Sequence, residues 1–238
     1  MRKVKKLCVM LATALPLLCW EVGYTDENPQ QRPLTQAEQQ AKTPQDALSR
    51  LKTGNMRFVR HELLKADYSK IINESKDAQH PAAIVLACID SRVPPEIIFD
   101  QAVGNIFVAR VAASVINDDV LAGMEYATHV AGAKLIVVMG HENCGAVAAA
   151  CKGIKLGHIT QLLGKISPAV AASHVQMPTA TCAQADYVNL IAKNNVLSVV
   201  KQIPEQSDII RQEIIDGQVE VVGAMYHVES GDVEFYPG

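Results

Sequence analysis

The sequence lacks the marks of several protein classes. Past residue 30, no stretch of the 238 residues has the uninterrupted apolar length that a membrane span needs. No basic block lies beyond the extreme N-terminus, so neither nucleic acid nor an anionic membrane is indicated as a partner of the folded part. There is no Cys-x-x-Cys pair, which argues against a thioredoxin-like redox site. The turn GHENCG (140–145) has neither the lysine nor the glycine spacing of a phosphate-binding loop. No internal repeat is visible, aromatic residues make up only 5%, and the single tryptophan is Trp20.

What is present fits one packed globular domain. Hydrophobic residues account for 49% at a mean hydropathy of +0.09, and 25.8 kDa is a common size for a single α/β domain. The N-terminus stands apart: MRKVKK followed by LCVMLATALPLLCW is a charged segment feeding an apolar one, the pattern of an export signal over residues 1–23. Leu18, Cys19, Trp20 and Glu21 offer no clean cleavage site, so an uncleaved N-terminal anchor stays open, as does a short helix packed on the domain. Membrane contact is expected only if this segment is retained. Its removal takes four basic residues and one acidic, leaving 18 against 24 and a net charge of -6 in place of -3. Export points to an oxidising compartment, here a bacterial periplasm. Residues 24–42, YTDENPQQRPLTQAEQQAK, have almost nothing to bury and read as a disordered linker.

The rest, 43–238, alternates strand and helix. Thr43-Pro-Gln-Asp46 supplies an N-cap hydroxyl, a proline at the first helical position and an acid three residues on, so a helix begins there. It serves as an N-terminal helical arm, although Gly54 weakens its middle. The apolar runs at 82–88, 105–113 and 133–140 read as buried strands, with helices at 94–101 and 117–131 between them. Helical patterns follow near 158–172, 180–203 and 205–215, then a strand at 219–228. Near-continuous apolar strands joined by helical crossovers imply an α/β fold with a central, mostly parallel sheet flanked by helices.

In such sheets ligands bind beyond the carboxyl ends of the strands. CIDSR (88–92) leaves one strand there and GHENCG leaves another. Cys88, His141 and Cys144 together form a Cys₂His set, which zinc accepts tetrahedrally with a fourth position open. His141 and Cys144 are three residues apart across a turn that opens a helix, and that helix start favours Cys144 as thiolate. Asp90 and Arg92 lie two and four residues beyond Cys88. On an ordinary loop they would form a surface ion pair of little value. Beside a zinc whose thiolates cancel its charge, the carboxylate can coordinate the metal or accept a hydrogen bond from bound water, with Arg92 holding it in the second role.

These segments resemble the β-class carbonic anhydrases. CIDSRVPPEIIFDQ (88–101), GNIFVARVA (104–112), EYA (125–127) and GHENCGAV (140–147) occur in that family's order and spacing, and the resemblance spans roughly residues 43–236. It implies one Zn²⁺ per subunit on Cys88, His141 and Cys144, and reversible hydration of carbon dioxide to bicarbonate and a proton by zinc-bound hydroxide. Asp90 would orient that hydroxide with Arg92 restraining the carboxylate, and in an inactive closed form Asp90 would become the fourth ligand. Gln79, nine residues before Cys88, matches a glutamine that binds substrate in plant-like members. A homodimer or homotetramer is implied, with the cleft at a subunit boundary. Ile89 stands where the family usually has Ser or Ala, and Ser114 where Asn is common. Trp20 lies outside the domain, whereas the bicarbonate-inhibited branch uses a tryptophan in its regulatory pocket, so no such inhibition is expected.

Other readings stay open at this level. Cys151 or Cys182 would convert the site to a closed structural Cys₃His zinc centre, although Cys151 lies two helical turns beyond Cys144 and is better read as a core residue or, in an exported protein, a disulfide partner of Cys182. Carbon disulfide hydrolases of the same family reuse the zinc site. His129, His158 and His174 are proton-relay candidates by residue type alone.

Overall fold

A computed structural model describes residues 30–238. The export-signal and anchor readings of residues 1–23, and the linker reading of 24–29, fall outside the described residues. Among those described, no helix is long and apolar enough to cross a membrane.

Five strands form one sheet: β1 (Ala83–Ala87), β2 (Ile106–Arg110), β3 (Leu135–His141), β4 (Glu220–Tyr226) and β5 (Val233–Tyr236), in the order β2-β1-β3-β4-β5. The first four are parallel and β5 closes one edge antiparallel. β1, β3 and β4 are buried as expected, whereas the edge strand β2 is only half-buried because it has a sheet neighbour on one side alone; the strand period of two divides the side chains between two cores. Ile84, Leu86, Ile136 and Val138 enter one core. Ala83, Val85, Leu135, Val137 and Met139 enter the other.

The first core is covered by α5 (Asp118–Glu125), α6 (Gly145–Cys151), α7 (Ile159–Gly164), α8 (Ser167–Gln176), α9 (Ala185–Gln206) and α10 (Asp208–Ile215). The second is covered by α2 (Pro44–Val59) and α4 (Pro95–Ile98) through Leu48, Leu51, Ile98 and Phe99. As expected, α2 begins at Thr43, whose side chain accepts from the Asp46 amide while Asp46 returns a bond to the Thr43 amide. Gly54 has a packing reason, since a Cβ there would meet the Phe99 carbonyl oxygen at 1.8 Å.

Three elements differ from the sequence expectation. The stretch read as linker holds a helix, α1 (Gln36–Gln40), opened by a Thr35–Glu38 capping box. Buried Gln39 donates from its amide to the carbonyls of Pro81 and Ala131, tying the helix to the domain. A further helix, α3 (Tyr68–Ser75), follows α2 with Asp67 as N-cap. The last strand, β5, extends the sheet beyond the expected final one, since Val233 and Phe235 pack onto the second core while Glu234 stays exposed.

Candidate metal centre

β1 and β3 are neighbours in register, with Ala87 opposite Met139. Both chains therefore leave the sheet at the same edge, and the residues that follow emerge side by side. This brings Cys88 together with His141 and Cys144, which lie 53 and 56 residues further on. The donor atoms of the three lie within 4.8 Å of one another and all three residues are buried.

The histidine is set up to ligate. Its Nδ1 lies 2.8 Å from the Glu142 carbonyl oxygen, which can only accept, so Nδ1 carries the proton and Nε2 keeps its lone pair. Nε2 is buried and has no hydrogen-bond partner. A polar atom left unpaired at 1% residue exposure, facing two thiols, could ligate a cation, and a Cys₂His set suits zinc.

The two thiols differ. The Cys144 thiol donating to Cys88 is the main influence that holds Cys88 low, at about 4; His141 and the Asp90 and Ala113 amides add to it, and burial opposes. Sharing that proton pushes Cys144 up, as does its burial beside a negative sulfur; amides of Val147 and Ala146 in the first turn of α6 pull the other way. A divalent ion held by both sulfurs would favour the thiolate form of each. Among the described residues no third thiol is available: Cys151 and Cys182 form a disulfide, Cα atoms 5.8 Å apart, joining the end of α6 to the segment before α9.

Asp90 faces the same space, with Oδ2 3.9 Å from His141 Nε2. Arg92 donates to both of its oxygens, and this pair, reinforced by the Arg92 amide, holds the carboxyl well below the usual carboxylate range. Asp90 is therefore ionised and turned toward arginine.

Two residues given no role in the sequence reading lie beside the donors. Arg110, at the end of β2, donates from Nε to the Cys88 carbonyl at 2.9 Å and from Nη2 to the Asp90 carbonyl at 2.5 Å. Its signal was the parallel register, which sets Arg110 beside Ala87. Tyr226 is the cross-strand neighbour of His141, and burial pushes its phenol up while nearby Arg92 opposes the shift.

The remaining candidates separate. Gln79 is exposed on the loop before β1, so the five residues of that strand, roughly 16 Å, lie between it and the donors of its own chain. Ile89 is 63% exposed and does not crowd the donors. Ser114 is buried and donates to the Met139 carbonyl at 2.7 Å, so the position makes a hydrogen bond despite lacking the asparagine. Of the histidines weighed as relays, His129 lies 3.1 Å from Glu213 on α10, His174 lines a cavity beside the disulfide, and His158 is exposed before α7. A cavity of about 800 Å³ opens at the far end of the sheet by the start of β4, away from the donors.

The sequence model of the carbonic anhydrase family matches residues 83–233, which include every residue of the donor cluster. A carbonic anhydrase of Mycolicibacterium smegmatis is 34% identical over 197 residues, covering 80% of this chain and 92% of its own. Carbonic anhydrase 2 of Mycobacterium tuberculosis is 33% identical, over 79% of this chain and 90% of its own. Among solved structures, a tetrameric β-carbonic anhydrase of Sordaria macrospora superposes with a TM-score of 0.65 at 24% identity, covering 80% of this chain and 95% of its own, which is a likeness of fold.

Proposed function

Because the chain belongs to the β-class carbonic anhydrase family and is a carbonic anhydrase, we propose that Cys88, His141 and Cys144 hold one zinc ion and that Asp90 and Arg92 complete the catalytic machinery for hydrating carbon dioxide. The observation that carries this reading is the buried, unpartnered Nε2 of His141 facing two thiols. Bound there, zinc supplies a nucleophile at neutral pH by lowering the pKa of water to about 7.

The protein's own groups do the rest. Glu142, through its carbonyl, fixes the His141 tautomer so that Nε2 always presents its lone pair. Asp90 accepts a hydrogen bond from the attacking oxygen and so directs its lone pair at carbon dioxide. Arg92 grips both Asp90 oxygens, which keeps the carboxylate off the three donors and the fourth position open. When that grip is released, Asp90 lies near enough to fill the position and close the site. Arg110 fixes the main chain on which Cys88 and Asp90 ride.

Gln79 contributes to substrate binding only if a second copy of the chain brings it to a neighbouring site. Its exposure at the far end of β1 supports a homo-oligomer of that kind. So does the free edge of the sheet at β2, where Phe107 meets half-exposed Tyr126 edge-on at 6.1 Å. Export to an oxidising compartment is supported by the charged and apolar N-terminal pattern and by the Cys151–Cys182 disulfide.

Stopped-flow carbon dioxide hydration with zinc analysis on the purified protein tests the reading. One zinc per chain and turnover that vanishes on chelation are expected, with carbon disulfide as the competing substrate. Full turnover in metal-free protein, or hydrolysis of carbon disulfide alone, overturns it.

A further inference from the structure

Two turns containing left-handed, non-glycine residues, Ala113 with Ser114 and Asn143, flank the donors, and one helix holds both turns. Ala113, at φ +56°, donates its amide to Cys88 Sγ at 3.4 Å. Asn143, at φ +54°, lies between His141 and Cys144. Alanine is strained in this region and asparagine only less so, because Cβ crowds the backbone; glycine alone sits there freely. Such strained conformations persist where surroundings over-determine them.

Here the surroundings are two side chains of α9. Asn195 is buried and donates from Nδ2 to the Ala113 carbonyl at 2.8 Å. Asn189 accepts the Asn143 amide on Oδ1 at 3.0 Å. Next to Asn195, Val196 lies against Gly140 so closely that a Cβ on Gly140 would meet its Cγ2 at 2.6 Å, seating α9 on the end of β3. The same helix thus grips the turn behind Cys88 and the turn between the other two donors.

We propose that Asn195 and Asn189 are positioning residues, and that α9 is a brace setting the spacing between the Cys88 half and the His141–Cys144 half of the metal site. Asn195 acts through the Ala113 turn on the Cys88 sulfur. Asn189 acts through Asn143 on the loop that aims the histidine and the second thiolate. Neither reaches substrate. The inference rests on the metal reading given under Proposed function.

The test measures the metal directly. Protein stripped by chelator is reloaded with zinc or cobalt(II), zinc affinity is measured by chelator competition, and the thiolate-to-cobalt charge-transfer band reports the geometry at sulfur. Asn195→Ala is expected to weaken zinc binding about 10- to 100-fold, the usual cost of losing an outer partner of a ligand, and to displace the band. Adding Ala113→Gly to Asn195→Ala should recover most of both, because glycine adopts φ +56° without the tether. Asn189→Ala removes a half-buried side chain and so keeps the fold; it should weaken zinc binding in the same direction, and it carries the test should Asn195→Ala fail to fold.

Zinc affinity within about twofold of wild type with an unmoved band in both single variants overturns the brace. So does an Asn195→Ala defect that Ala113→Gly leaves unchanged. A wild-type protein that takes up cobalt without any thiolate band overturns the metal reading itself, a different result from either.

Discussion

Arg92 holds Asp90 by two parallel bonds, Nε to Oδ1 at 2.9 Å and Nη2 to Oδ2 at 2.8 Å, while Oδ2 stays 3.9 Å from Nε2 of His141. The carboxylate is within reach of the metal position yet committed to arginine. Asp90→Asn keeps the shape and all three donors but exchanges an acceptor oxygen for an N–H. Zinc content should be unchanged and kcat/KM should fall by about 100-fold or more, the scale of losing one preorganised hydrogen bond to the reacting oxygen. Unchanged turnover removes the carboxylate from the mechanism.

The thiol pair predicts a pH dependence of the metal-free protein. Cys88 is held at about 4 in the fold, against about 8.5 for a free thiol. A depressed pKa contributes stability that is fully present above the unfolded value and is lost as pH falls through the folded one. Chelator-stripped protein should therefore lose stability between about pH 8 and pH 4, and Cys88→Ser should flatten that part of the profile. Denaturant unfolding at a series of pH values measures it, and ultraviolet thiolate absorbance should show one thiolate persisting at pH 6. Rising stability toward acid contradicts a Cys88 thiol held low by its neighbours.

The Cys151–Cys182 bridge spans 31 residues, enclosing α7 and α8. Loop-closure entropy for that span amounts to about 4 kcal/mol. The double variant Cys151→Ala/Cys182→Ala should lose most of this in urea unfolding while retaining one zinc, because neither sulfur belongs to the donor set. Loss of zinc would revive the closed Cys₃His site.

Oligomerisation through the β2 edge predicts a change of size. Wild-type protein should sediment as a dimer or larger, and Tyr126→Asp, which places a charge beside Phe107 at that edge, should shift it toward monomer. A monomeric wild type overturns this assignment and with it a substrate role for Gln79.

Much of this was legible in the sequence because parallel strands buried on both faces are written as apolar runs, and because chemistry in such sheets follows strand ends. Cys88 and His141 could be paired on that ground alone. Thr43 announced α2 by its cap. Thr35-x-x-Glu38 carried the same signal for α1, but surrounding glutamines and prolines obscured it. β5 was hidden because four residues on a sheet edge show little periodicity. Arg110, Tyr226, Asn189 and Asn195 could not be read, since their roles depend on register and on where α9 crosses the sheet. Gln79 differs again: its spacing from Cys88 matches the family, and the strand between them places it at the other end of the chain's own sheet.

Two connections from neighbouring strands that deliver two sulfurs and one imidazole to a metal leave one position for solvent. X-ray absorption at the zinc edge of the purified protein reads that coordination. Two sulfurs at about 2.3 Å and two light atoms at about 2.0 Å are expected. Three or four sulfurs, or one, would contradict it.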